Sequence, residues 1–194
     1  AALMHQGPFL IYNGHETGET GEGASGFSGK DGRTSIFDYG IMPELNKWYN
    51  YGLCNGGGLS SEQQELRDTY SRIMNIAAHN PAISRGAFYD LMWMNQANTE
   101  VDMRRLYAFL RREKEKLLLV AANFSGEHQQ GRIQIGGHAW EYLELPMHKE
   151  YMAKDILNDG PEVISSPIKA AGQGFEIFVP SHAASVYEIR FLDD

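Results

Sequence analysis

The feature that most constrains this chain is a change in hydrophobic period near Ile83. From there to the C-terminus short apolar runs follow one another at strand length, separated by turn residues. The candidates are Leu106–Arg112, Leu117–Asn123, Arg132–Ile135, Trp140–Leu145, Tyr151–Leu157, Phe175–Val179 and Val186–Phe191. The last alternates cleanly, with Tyr187, Ile189 and Phe191 on one face and Glu188 and Arg190 on the other. Glu113–Lys116 joins the first two runs as a hairpin, and Gly136-Gly137 and Asp159-Gly160 supply turn chemistry further on. A parallel sheet needs a crossover helix between paired strands, and no helical pattern separates these. The segment is therefore expected to fold as an antiparallel β-sandwich. Its length from Gly86 to Phe191, about 100 residues, suffices for a core of its own.

The first part of the chain reads differently. Thirteen of the 21 glycines fall in the first 60 residues. One apolar run, Phe9-Leu10-Ile11-Tyr12, is short enough for a buried strand. After it a Gly-rich stretch extends to Gly58, and a loop of that length belongs to a functional site or to a fold whose neighbours lie elsewhere. A helix follows, with Ser61 as expected N-cap and Gln64 completing a capping box. Leu66, Tyr70, Ile73, Met74 and Ala77 form its apolar stripe, and Asn80-Pro81 ends it. The opening residues carry neither a basic region nor a signal-like apolar stretch, so the chain is expected to begin inside a longer protein.

Composition excludes several classes. With 42% hydrophobic and 22% charged residues the chain is ordinary globular material. A net charge of −8 argues against a nucleic-acid partner, and no run is long and apolar enough for a membrane helix. Cys54 is the single cysteine, which excludes an intrachain disulfide. The compartment stays open.

Gly21-Glu22-Gly23-Ala24-Ser25-Gly26 matches a dinucleotide fingerprint by letter only. Glu19 and Glu22 would repel a phosphate, and no helix pattern follows to receive it. Gly29-Lys30 lacks the hydroxyl residue of a phosphate loop, since Asp31 stands there. The seven histidines show no metal-ligand spacing, so no metal and no cofactor is expected. Asn123-Phe124-Ser125 is formally a glycosylation acceptor, equally explained as a turn at a strand end. The basic cluster Arg111–Lys116 reads as a solvated strand edge. Trp48-Tyr49-Asn50-Tyr51 is the stretch that asks for more. Three aromatics without periodicity either stack on sugar rings, fill an interface, or pack beneath a long loop.

Gly7-Pro8-Phe9-Leu10-Ile11-Tyr12-Asn13-Gly14-His15-Glu16 resembles the eighth-strand segment of the α-amylase family of glycoside hydrolases. Arg33-Thr34-Ser35-Ile36-Phe37-Asp38-Tyr39 is similar to the loop that follows in that family. Asn80-Pro81-Ala82-Ile83-Ser84-Arg85-Gly86 resembles the turn after its last barrel helix. The three occur in family order and a β-rich segment follows them.

The resemblance implies a mostly β chain: an antiparallel Greek-key β-sandwich over residues 86–194, preceded over residues 1–85 by the eighth strand, long loop and last helix of a (β/α)8 barrel. It implies an intact enzyme that acts on α-glucans with retention, through two carboxylates about 5–5.5 Å apart. The family's nucleophile, acid/base and stabilising aspartate lie on earlier barrel strands. None of them maps onto Glu16, Glu19 or Asp38, so the chain alone is expected to be inactive. Residues after the eighth strand face the cleft in such barrels. Asn13, His15 and Glu16, with Trp48 and Tyr49, are thus the substrate-cleft candidates; Glu16 could instead be a structural partner of barrel loops. Partners would be an α-glucan or oligosaccharide, the missing barrel, and a second copy of the chain pairing through the exposed strand Phe9–Tyr12. The helix after Ser61 would have lost the barrel wall for its stripe. Two other readings compete. A carbohydrate-binding module would expose Trp93, Trp140, Tyr142 and Tyr151 on one sheet face, and a freestanding enzyme would need a pocket of convergent titratable groups.

Overall fold

The computed structural model describes residues 1–20, 42–146, 149–165 and 174–192. Two compact units emerge, Pro8–Arg72 and Ala1–Gly7 with Ile73–Asp194. The glycine fingerprint at 21–26, the Gly29-Lys30 pair and the family-like loop 33–39 lie outside the described residues.

The smaller unit contains helix α1 (Pro43–Tyr49) and the first half of helix α2 (Ser61–His79). Two sequence expectations fail here. Phe9–Tyr12 forms no strand: the segment is irregular and Leu10 is 87% exposed. A strand exists by its ladder, and no described residue of this unit offers one to these residues. The Gly-rich stretch, read as loop to Gly58, encloses α1, whose start is set by Pro43 at the first helical position.

The capping box of α2 also sits one residue earlier than expected. Ser60 Oγ accepts from the Gln63 N–H at 3.3 Å and Gln63 Oε1 accepts from the Ser60 N–H at 3.1 Å. Both pairs, Ser60/Gln63 and Ser61/Gln64, fit the letter pattern. Geometry selects the one whose serine lies just outside the helix.

In the larger unit Asn80 ends α2 and starts α3 (Pro81–Ser84), its side chain accepting from the Ala82 N–H. Strands β1 (Ala87–Asp90), β2 (Leu106–Glu113), β3 (Lys116–Asn123) and β4 (Gln129–Ile133) follow, then helix α4 (Gly137–Tyr142). Strands β5 (Tyr151–Asp155), β6 (Glu162–Ser165), β7 (Phe175–Val179) and β8 (Ala184–Phe191) complete the order. Six of them form one antiparallel sheet in the order β1-β2-β3-β8-β5-β6, while β4 and β7 pair separately. The β2–β3 hairpin closes on Lys114-Glu115 with Lys114 in the left-handed region. β1 and β6 are short strands that the periodicity did not single out.

Trp140–Leu145, expected as a strand, is instead covered by α4 and its exit turn. Ala139, Trp140, Leu143 and Leu145 are buried while Glu141, Tyr142 and Glu144 are exposed. Burial of residues 139, 140 and 143 has helical spacing, and a strand would have put Trp140, Tyr142 and Glu144 on one face.

The large sheet is covered on both faces, which explains why β2 and β3 read as unbroken apolar runs. One face carries Leu106, Ala108, Leu110, Leu117 and Leu119 in a cluster shared with Ile133, Ile177 and Val179 of the small sheet and Trp140 of α4. Phe109, Leu118, Val120 and Val186 point the other way, against Ala82 and Ile83 of α3 and Ile73, Ile76 and Ala77 of α2. The second half of the α2 stripe therefore has a wall, namely this sheet.

Candidate functional site

In the smaller unit a tight turn fixes the chain after Tyr12. Gly14 and Gly18 both adopt left-handed backbone conformations on either side of a single 3-10 turn, His15–Thr17, a geometry glycine reaches without steric cost. The Gly14 carbonyl accepts from the Thr17 N–H, the buried Thr17 hydroxyl and the Glu19 N–H. Glu19 then reaches α1. Its Oε2 accepts from the Glu44 N–H at 2.9 Å and the Leu45 N–H at 3.1 Å. Met42 offers α1 no side-chain cap, so a carboxylate from 25 residues upstream satisfies two of its open N–H groups and complements the helix dipole.

Gln63 on α2 donates to the Thr17 carbonyl at 2.9 Å and also to the Glu44 carboxylate. Hydrogen bonds from Lys47 first, then Gln63, hold the Glu44 carboxyl below the ordinary carboxylate range. The Arg67 guanidinium lies 5.0 Å over the Trp48 ring, a cation–π contact that holds the indole in place. Arg67 Nε has no hydrogen-bond partner among the described residues.

These contacts frame an open groove of about 540 Å³ lined by Asn13, Glu16, Met42, Leu45, Asn46, Trp48 and Tyr49, within the size range of small-ligand sites. Four of the five cleft candidates thus share one groove. His15 does not line it; the ring is exposed and packs at 5.6 Å from Tyr12. Asn13 is held by a contact of its amide to the Met42 sulfur at 3.2 Å. Tyr49 is half exposed and the next two residues, Asn50 and Tyr51, both have positive φ. Glu16 makes no hydrogen bond or ion pair with another described residue.

Chemically the groove offers ring faces, amides and one carboxylate. Glu16 is the only acid among the described residues lining it, and those residues form no facing carboxylate pair of the kind glycosidic cleavage uses. It can hold and orient a polar ligand. Met42, Leu45 and Asn46 were not foreseen, because α1 was not, although Pro43 followed by Glu44 is a helix-start signal.

The four aromatics proposed for a sheet-face platform separate. Trp140 and Tyr151 are only 4% and 5% exposed and belong to the core. Trp93 lies in the turn after β1 and Tyr142 on α4, both exposed and neither on a sheet face. Asn123 is buried and donates to the carbonyls of Glu127, Val179 and Pro180 while accepting from Ser125; a side chain so engaged offers no glycan acceptor. Among the described residues no group of acidic, histidine and cysteine side chains could hold a metal ion, and no helix is long and apolar enough to cross a membrane.

No family model and no curated protein matches the chain. Among solved structures, the chain is similar to AmyP in complex with maltose, at 16% identity and a TM-score of 0.47, covering 71% of this chain and 22% of that one. It is similar to the α-amylase of Geobacillus thermoleovorans complexed with acarbose, at 18% identity and a TM-score of 0.46 over 68% of this chain and 24% of that one. An isomaltulose synthase mutant from Erwinia rhapontici with bound D-glucose gives 18% and 0.42, over 73% and 21%. The chain thus spans between 21% and 24% of the length of these three proteins.

Proposed function

We propose that this chain is the C-terminal part of an α-amylase-family glycoside hydrolase that acts on α-glucans with retention. The observation that carries the reading is the order of three sequence stretches, Gly7–Glu16, Arg33–Tyr39 and Asn80–Gly86, followed by a β-rich segment. In this reading residues 1–85 complete a (β/α)8 barrel and residues 86–194 form the Greek-key sandwich behind it. Phe9 and Leu10, exposed here, would lie against the missing barrel staves or against a second copy of the chain. The catalytic carboxylates belong to the barrel upstream. Asn13, His15, Glu16, Trp48 and Tyr49 contribute to the wall of the substrate cleft, a role supported by the groove that four of them line.

Two assays test this. The purified 194-residue chain should show no turnover of maltooligosaccharides or an aryl α-glucoside, whereas the intact enzyme should cleave or transfer α-glucosidic bonds. Turnover by the chain that survives repurification overturns the reading. In the intact enzyme Glu16→Gln should lower kcat/KM for a long maltooligosaccharide more than for the aryl glucoside. A change in stability alone would assign Glu16 to the scaffold.

A further inference from the structure

We propose that Asn13-Gly14 is a site of spontaneous deamidation, selected by the fold over the chain's second Asn-Gly pair, so that the groove wall acquires a carboxylate as the protein ages. Asparagine is chemically labile, and a following glycine has no Cβ to obstruct attack by its nitrogen on the side-chain amide. The chain holds two such pairs, Asn13-Gly14 and Asn55-Gly56. As dipeptides they are identical. Exposure does not separate them either, since both asparagines are exposed and both glycines are buried. Both glycines also take left-handed conformations, with φ of 88° and 69°.

Hydrogen bonding separates them. The Gly56 N–H donates to the Trp48 carbonyl at 3.0 Å. Attack requires that nitrogen to give up its proton, and an anionic amide facing a carbonyl oxygen is repelled. The Asn55 side chain is engaged as well: its Oδ1 accepts from Asn50 Nδ2 at 2.8 Å and from the Gly57 N–H at 3.0 Å. The Gly14 N–H, by contrast, has no acceptor among the described residues. The Asn13 amide makes one polar contact among them, to the Met42 sulfur at 3.2 Å, a weak acceptor. Asp159-Gly160 would react through the same ring, but the Gly160 N–H donates to the Asp155 carbonyl at 2.9 Å.

The chemistry needs only water. The Gly14 nitrogen loses its proton and bonds to Asn13 Cγ, the bond from Cγ to the side-chain nitrogen breaks, and ammonia leaves behind a succinimide. Water then opens either ring carbonyl, giving aspartate or isoaspartate. Asn13 lines the groove, where Glu16 is the only acid among the described lining residues, so either product adds a second. Isoaspartate also lengthens the main chain by one methylene immediately before Gly14, whose carbonyl holds Thr17 and Glu19. The turn cannot escape by replacing its glycine: a Cβ at Gly14 would lie 2.8 Å from Glu19 Cβ and 2.9 Å from Met42 Cε. The inference stands on this geometry and is independent of the family reading.

Incubation of the 194-residue chain in mildly alkaline buffer, followed by peptide mapping in a mass spectrometer and enzymatic methylation to score isoaspartate, tests the proposal. In the folded chain conversion at Asn13 should outrun conversion at Asn55 about tenfold, the rate equivalent of one hydrogen bond that must break first. In urea, where the dipeptides remain and the fold is gone, the two rates should converge. Asn13→Gln, which would have to close a larger ring, should remove the fast-forming acidic species seen on isoelectric focusing; circular dichroism verifies that the variant stays folded. Equal or faster conversion at Asn55 in the folded chain overturns the proposal. A preference for Asn13 that persists in urea does so too, because it would belong to sequence neighbours and not to the fold. An Asn13 that reacts only in urea, or an acidic species that survives Asn13→Gln, overturns it as well.

Discussion

Single residues hold this fold at points where polar groups go into the core. Arg111 is buried on β2 without a carboxylate partner among the described residues. It donates to the carbonyls of Ala82 at 3.0 Å, Met4 at 2.9 Å and also Ile83. Burial pulls its guanidinium below the ordinary value, yet it stays charged at any working pH. Its counter-charge is the negative end of α3 and the free carbonyls around it. In the sequence it looked like part of a solvated basic edge, because the pattern Arg111-Arg112 does not say which side chain points inward. Replacing Arg111 with Met would keep the volume and orphan three carbonyls. We expect a loss of about 2–4 kcal/mol, read as a lower urea midpoint, with Arg111→Lys falling between because one ammonium cannot span all three acceptors. A Met variant as stable as the parent would show that the carbonyls find water. Glu188 is a second such residue. Burial would raise its carboxyl, but Arg190 at 2.5 Å and Lys116 at 3.4 Å outweigh that and hold it below the ordinary value. A depressed folded pKa stabilises above the unfolded carboxylate value of about 4.3 and is lost as pH falls through the folded value. Stability measured from pH 6 downward should therefore fall less steeply in Glu188→Gln than in the parent.

At the scale of elements, local chemistry and tertiary partners shared the work unevenly. The ends of α2 were legible: Asn80-Pro81 stops it as expected, and a capping box starts it one residue from the expected place. Ser60→Ala should cost about 1 kcal/mol, visible as a lower thermal midpoint and lost helicity, while Ser61→Ala should cost a few tenths. The reverse order would restore Ser61 as the cap. α1 showed only the start signal Pro43-Glu44 in the sequence, because its cap comes from Glu19, far away in sequence, and not from Met42 beside it. α4 was misread because Trp140 and Tyr142 are good strand formers. What decides is that residues 139, 140 and 143 must all face the core shared with the small sheet.

For the whole molecule, stability should be concentrated where both faces of a strand are covered. Native-state hydrogen exchange should find strong protection in Leu106–Glu113, Lys116–Asn123 and Ala184–Phe191, with fast exchange across Phe9–Tyr12, whose amides have no ladder among the described residues. Equal protection of both regions in a monomer would contradict this. The sequence determined the class of this fold, since period-two runs, hairpin turns and the lack of crossover helices depend only on neighbouring residues. It also placed Phe175–Val179 and the hairpin at residues 113–116, where turn chemistry and alternation agree. Only the tertiary structure decided which apolar segment becomes a strand at all. Phe9–Tyr12 and Trp140–Leu145 carry the right side chains, yet one has no strand partner among the described residues and the other meets the core along a helical stripe. The groove depended on it as well. Asn13 and Glu16 stand 32 to 36 residues from Trp48 and Tyr49, and long-range contacts such as the Glu19 bridge to α1 and the Asn13–Met42 contact bring them to one surface. Burial, pairing and long-range caps are properties of what surrounds a residue, and a sequence lists residues without their surroundings.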